Sequence, residues 1–373
     1  MGASTVKTFN QIWKKPFQFE GTAMHPNVLL MCKLTVLLIV AHHFIEDLSD
    51  PFIPFFDQLN IFNSIPGALR ALQVFVFIVA AVLLFLNYKV RTASITLGIV
   101  VIFSIIISVP MFKNHTFICG CALFLAGLTD NKKPPYLLIL QLSLIYFGAS
   151  INKFFEPDWW SGAFMHNWLA VARGNELYLS TSALFPDFWF AKLLSHIAMG
   201  TEFLIGVTLL FKKTRNKAIW FIIVFHVLLF SITGFRFGHF IESLLIFLIA
   251  IVNWPNPMIY VEYYPEKASK FKSFLTLLDF DNKWKWQPSR SESTWLSVKA
   301  FDKTYTNLTA VKKLILWSPN VYIILFAIDC LIYIILHNHR ILLALVNICF
   351  AWALIFFFSP LFKLPSTKNH STI

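Results

Sequence analysis

Ten stretches of this chain are apolar enough, and most are long enough, to require a solvent other than water. They are residues 28–45, 68–87, 92–111, 117–128, 136–153, 193–211, 218–235, 238–254, 319–336 and 341–360. A helix needs about 20 apolar residues to cross a hydrocarbon layer, with some latitude for tilt. The segment 117–128 is short, and reads as a thinned span or a re-entrant helix sheltered by its neighbours. Composition agrees with this reading. Hydrophobic residues make up 57% of the chain and charged residues 13%, where soluble domains carry about 25% charged residues. A soluble core of this size cannot hide that much apolar surface. The expected fold is therefore all-α: a polytopic transmembrane helical bundle of about ten spans.

Loop charge gives an orientation. Residues 46–67 hold Glu46, Asp47, Asp50 and Asp57 with no Lys or Arg, and residues 154–191 are mainly acidic. Lys89 and Arg91, then Lys132 and Lys133, then Lys212, Lys213, Arg215 and Lys217 mark the alternate connections. The positive-inside rule puts these basic turns and both termini in the cytoplasm. The domain plan is a leader over 1–27, a membrane core over 28–254, a polar loop over 255–317, a helical pair over 318–361 and a tail over 362–373. The loop carries ten Lys/Arg against six Asp/Glu, with Tyr260, Tyr263, Tyr264, Trp284, Trp286 and Trp295. It reads either as a segment lying on the headgroups or as a small solvated extension. The expected location is an integral, multi-pass site in a plasma or inner membrane, or in the endoplasmic reticulum membrane of a eukaryote.

Several function classes are excluded by pattern. The net charge of +12 comes without a compact basic motif interleaved with aromatics, so no nucleic-acid partner is expected. No phosphate-cradling glycine loop, His-Glu-x-x-His helix or Gly-x-Ser-x-Gly elbow occurs, so no nucleotide is expected. The five cysteines lack zinc-ligand spacing and read as small apolar residues. No metal is expected, although His42 and His43 each have a carboxylate four residues on.

The functional signal lies in ionisable groups at span ends, where they are costly unless they face a protein interior. Lys153 closes the apolar run that ends Tyr146-Phe147-Gly148-Ala149-Ser150-Ile151-Asn152-Lys153. Asp158-Trp159-Trp160-Ser161-Gly162 follows it. A desolvated lysine can act as a base, whereas an interfacial one simply snorkels. The small residues Gly148, Ala149 and Ser150 allow close helix approach. His115 precedes the short segment on the same, outer side, within reach of one shared cavity by topology. His196, Glu202, His226, Arg236, His239 and Glu242 form a third group, for which structural pairing is the plain alternative.

These motifs resemble the HTTM family, whose best-known members are the vitamin K-dependent γ-glutamyl carboxylases. Tyr146 to Lys153 followed by Asp158-Trp159-x-x-Gly162 resembles the family signature. Tyr88-Lys89-Val90-Arg91, Asn114-His115-Thr116, His196 to Glu202, Phe225-His226 and Gly238 to Phe240 resemble other family segments. The resemblance covers about residues 30–255. It implies that Lys153 deprotonates a reduced quinone of the vitamin K hydroquinone type and that His115 is its partner. Oxygen would then convert the quinol to an epoxide, and the strong base formed would take a proton from a substrate glutamate, to which carbon dioxide adds. Asp158, Trp159, Glu202, His226, Arg236 and His239 are the implied substrate-binding residues. The expected partners are the lipid bilayer, a quinone-like small molecule and a small peptide or protein substrate. The rival reading is a non-enzymatic membrane protein, either an accessory factor for a secreted peptide or a transporter. Ionisable residues would then clamp a partner or line a path.

Overall fold

The computed structural model describes residues 12, 14–48, 52–131, 135–233, 238–252 and 258–336. Arg236, the apolar segment 341–360 and the tail 362–373 lie outside the described residues. The other nine apolar segments are all helical. They form α1 (Pro26–Ala41), α2 (Pro66–Phe85), α3 (Val90–Ile107), α4 (Asn114–Leu128), α5 (Tyr136–Phe155), α7 (Trp189–Leu210), α8 (Arg215–Ile232), α9 (Gly238–Ile249) and α12 (Pro319–Leu336). A short surface helix, α6 (Glu176–Ser182), precedes α7. Among the described residues, five helices are long and apolar enough to cross a membrane, namely α2, α3, α5, α7 and α8. A sixth candidate is the pair Asn307–Leu316 and Pro319–Ile328, bent by 70°. Lipid suits them, because only 22% of the apolar stretch of α2 and 28% of that of α7 is buried within protein.

The chain divides into two compact units, residues 1–135 with 246–343 and residues 136–245 with 344–373. In the first unit, α3 and α4 pack backbone to backbone. A Cβ on Gly98 would lie 2.5 Å from Phe124 N, and one on Gly127 would lie 2.5 Å from Arg91 O. Ser94 Oγ donates to Leu123 O at 2.6 Å, and Gln73 Nε2 to Ser104 Oγ at 2.8 Å, so buried polar groups are spent on helix–helix contacts. Arg91 donates through Nε to Gly127 O at 3.0 Å and through Nη2 to Leu128 O at 3.2 Å. A cation thereby satisfies the open carbonyls at the negative end of α4.

The polar segment 255–317, expected to lie on the headgroups or to form a small solvated extension, contains a four-stranded sheet with helices, which corrects the all-α expectation. Strands β1 (Ile259–Tyr263), β2 (Trp284–Pro288), β3 (Leu296–Ala300) and β4 (Lys303–Thr306) form one sheet in the order β2-β1-β3-β4. Helix α10 (Pro265–Leu278) makes the crossover between the parallel pair β1 and β2, as a parallel pair requires. Strands β3 and β4 form a tight hairpin through Phe301 and Asp302, both at positive φ. Positive φ at both positions matches the twist of the flanking strands. Helix α11 (Asn307–Leu316) then leads into α12.

Leader residues 15–20 strap this subdomain to α1. Lys33, fully buried in the middle of α1, donates to the carbonyls of Pro16 at 2.9 Å, Gln18 at 3.3 Å and Lys15 at 3.4 Å. Asp281 accepts from the backbone N–H of Phe19 at 3.1 Å, and Lys283 pairs with Glu20 at 2.5 Å. Asn87 Nδ2 donates to Gln18 O at 2.8 Å. The leader, the turn after α2 and the 279–283 loop therefore share one end of this unit. At another end, Lys113 pairs with Asp47 at 2.5 Å and Val109 N donates to Ile53 O at 2.7 Å.

In the second unit, α5 and α7 lie side by side. Ser143 Oγ donates to Gly206 O at 2.6 Å and Ser150 Oγ to Met199 O at 3.0 Å. Gly148 is not part of this contact. A Cβ there would meet nothing within 4 Å, whereas one on Gly206 would press on the Phe147 ring at 3.1 Å. The polar connection between α5 and α7 folds into short helical turns around Met165, Leu169, Tyr178 and Ala191.

Candidate functional site

The face of α5 that carries Tyr146, Ala149, Ser150 and Lys153 follows the helical repeat, so these groups rise in a column toward the end of the helix. Across from it, α7 presents Met199, Glu202 and Gly206. The serine bonds fix the register of the two helices. That register brings Lys153 Nζ to 2.5 Å from Glu202 Oε2. The ammonium also donates to Ala149 O, one turn back on its own helix, at 3.3 Å. Side-chain exposures of 18% for Lys153 and 13% for Glu202 mean that the pair is largely withdrawn from solvent but still open at one side.

The Asp-Trp-x-x-Gly segment closes over this pair. Pro157 starts a helical turn, Pro157–Ser161, immediately after α5. That turn places the Trp159 ring 5.0 Å from Lys153 Nζ, in cation–π contact. Trp159 stacks in turn on Phe164 at 4.4 Å. Gly162 ends the turn at φ 82°, and a Cβ there would lie 2.5 Å from Lys192 N in α7. Both the left-handed backbone and the close approach demand glycine, which is the physical reason for the last position of the motif. Asp158 is exposed on this turn and Trp160 packs against the His196 ring at 5.3 Å.

Two turns into α5 from Lys153, Tyr146 OH lies 2.7 Å from His226 Nε2 of α8. Both side chains are buried, and Glu202 lies within electrostatic reach of the Tyr146 phenol. The Phe225 and Phe240 rings flank the imidazole. The second unit thus groups Lys153, Glu202, Trp159, Tyr146 and His226. His239 sits on the first turn of α9, 3.5 Å from Glu242. His115 belongs to the first unit, at the start of α4, where its ring packs edge-on to His42 at 5.2 Å. Helix α1 ends at His42, and His43 is left-handed at φ 61°. Asp47 therefore pairs with Lys113 rather than sharing a helical face with His43.

The sequence offers Glu202 as one of six ionisable residues in the later spans and as an expected substrate-binding residue, but does not pair it with Lys153. It offers Tyr146 without a role. The available signal was spacing: Tyr146 and Lys153 are seven residues apart, two turns on one helix face. Outside the spans, burial raises the Tyr178 phenol above its usual range. Its hydroxyl lies 2.9 Å from His166 Nδ1, which ties the cap segment together.

Residues 129–254 match the family model described as the HTTM domain. The match spans α5 to α9 and contains Lys153, Asp158, Trp159, Glu202, His226, Arg236 and His239; His115 and residues 30–128 lie before it. No curated protein and no solved structure matches this chain.

Proposed function

We propose that this chain is a carboxylase-like membrane enzyme acting on a quinol or another lipid-soluble acidic hydroxyl compound, with Lys153 as the base. The observation that carries the proposal is the Lys153–Glu202 pair, 2.5 Å apart at the end of an apolar helix and covered by Trp159. Where water is scarce, holding two full charges is costly, so transfer of the proton from the ammonium to the carboxylate becomes accessible. That transfer leaves a neutral amine at Lys153, which can take the proton of a quinol hydroxyl. Glu202 then holds the first proton, and the pair cycles between two protonation states. Trp159, backed by Phe164, covers the amine and limits water there.

For His115, which lies before the matched residues, a catalytic role stands on the family resemblance alone. A peptide glutamate as second substrate, and epoxidation as the first outcome, stand on the same resemblance. The accessory-factor reading draws on the completeness of the pair, since a lysine already matched by a carboxylate can serve as an interhelical clamp.

Reconstitution with a reduced naphthoquinone, oxygen and a glutamate peptide tests the proposal. Epoxide followed by chromatography is expected from the native chain and absent for Lys153→Ala. The double variant Lys153→Met with Glu202→Gln leaves no unmatched charge and should fold normally yet remain inactive. Glu202→Gln alone should lower turnover by about 10²–10⁴. Undiminished epoxide from Lys153→Ala refutes the assignment of the base.

A further inference from the structure

Helix α10 has two unlike faces. Ala268 and Leu275, seven residues apart, are buried against the sheet. The opposite face carries Lys267, Lys270, Phe274 and Leu277, at spacings of three, four and three residues that keep all four on one stripe. Phe274 is 52% exposed and Leu277 73%. The stripe is graded: its lysines lie toward the N-terminus and its apolar residues toward the C-terminus.

The C-terminus of α10 is fixed to the start of α12, which with Asn307–Leu316 makes a candidate span bent by 70°. Leu278 O accepts from Ser318 Oγ at 3.2 Å and from Asn320 Nδ2 at 2.8 Å, both at the start of α12. Helix α12 then runs as Pro-Asn-Val-Tyr-Ile-Ile-Leu-Phe-Ala-Ile, with Ile324, Leu325 and Ile328 on its exposed surface. Phe274 and Leu277 therefore sit within about a turn of the level where α12 begins. Of the aromatic residues that the sequence offered for an interface, Tyr260 is exposed on β1, away from α10, at 57%. Trp284 is buried, Trp295 packs on Phe271 at 5.1 Å, and Tyr263 lies under Lys272.

We propose that α10 is an interfacial helix, with Phe274 and Leu277 seated in the acyl boundary and Lys267 and Lys270 reaching anionic lipid headgroups. The occupant follows from charge and from attachment. The subdomain is tied through Leu278 O to the start of α12, the second half of a candidate span. The stripe is basic where phosphate would lie and apolar where hydrocarbon would lie. Glu292, which pairs with Lys267 at 2.8 Å, and Glu266 on the flank match the two lysines in number, so lipid phosphates compete with them for the ammonium groups.

The full chain is reconstituted in phosphatidylcholine vesicles with or without phosphatidylserine. A fluorophore is placed at Leu277→Cys, with the native cysteines replaced, and a control at Glu262→Cys on exposed β1. The Leu277 probe is expected to be quenched by spin-labelled acyl chains and shielded from iodide, while the control shows the reverse. Lys267→Gln with Lys270→Gln should restore iodide access at Leu277, more so in phosphatidylserine. Free iodide access with no acyl-chain quenching overturns the proposal. So does shielding from both quenchers, which would mean that protein covers the stripe. Quenching indifferent to phosphatidylserine and to both lysines overturns the anionic-lipid assignment.

Discussion

Single side chains in this protein carry loads out of proportion to their number, because a polar group away from water must be matched. Asp281 illustrates this outside the membrane helices. Its carboxylate accepts from the N–H groups of Phe19 and Glu20. Burial nevertheless outweighs those bonds and nearby Lys283, and holds the carboxyl above its usual range. A carboxyl whose folded value is raised contributes its full stability below the unfolded value, about 3.9, and loses it as pH rises through the folded value. The leader strap should therefore loosen as pH climbs from the acid side, read as faster tryptic cleavage near Lys14 and Lys15 at matched protease activity. Asp281→Asn should flatten that dependence. Asp281→Ala leaves the two N–H groups unmatched and should cost about 1–3 kcal/mol, seen as leader release at all pH values.

At the level of elements, glycine and arginine decide how closely helices meet. The backbone of α4 occupies the space where a Gly98 side chain would lie, and backbone cannot yield as a flexible side chain can. Gly98→Ala should therefore force α3 and α4 apart and destabilise by about 1–3 kcal/mol in detergent melts. Gly148→Ala, on the open side of α5, should be neutral or stabilise by up to about 1 kcal/mol. Arginine plays a second part. Arg91 caps α4, and Arg215 caps α7 by donating to Leu209 O at 3.0 Å. The basic turns that set orientation in the sequence thus also satisfy helix C-termini. Arg91→Gln should cost about 0.5–2 kcal/mol, measured as a lower melting temperature.

For the whole molecule, the exposed apolar surface of α2 and α7 is a statement about solvent. Phe75 is 65% exposed and Leu72 56%, so these helices need lipid or detergent around them. The chain should stay with membranes through alkaline carbonate washing. Cysteine probes at Lys89 and Lys213 should react from one side of a sealed vesicle and a probe at Asp57 only from the other. Labelling of all three from one side would refute the alternating topology read from loop charge.

The helical segments were legible along the chain, because an apolar run long enough to cross a bilayer has few alternatives to a self-satisfied helix. The sequence also marked Lys153 and the glycine motif, since a lysine at the end of such a run is conspicuous. The sheet was harder to read. Ile259-Tyr260-Val261-Glu262-Tyr263 and Leu296-Ser297-Val298-Lys299-Ala300 alternate with the period of a strand, but each is only five residues long and lies amid charge. Only the tertiary structure decided that Lys153 pairs with Glu202, that Tyr146 meets His226, and that Lys33 holds the leader. These contacts join residues 15 to 80 positions apart in the chain. Helix register and rotation set such contacts, and packing between helices, rather than the pattern along any one of them, fixes both.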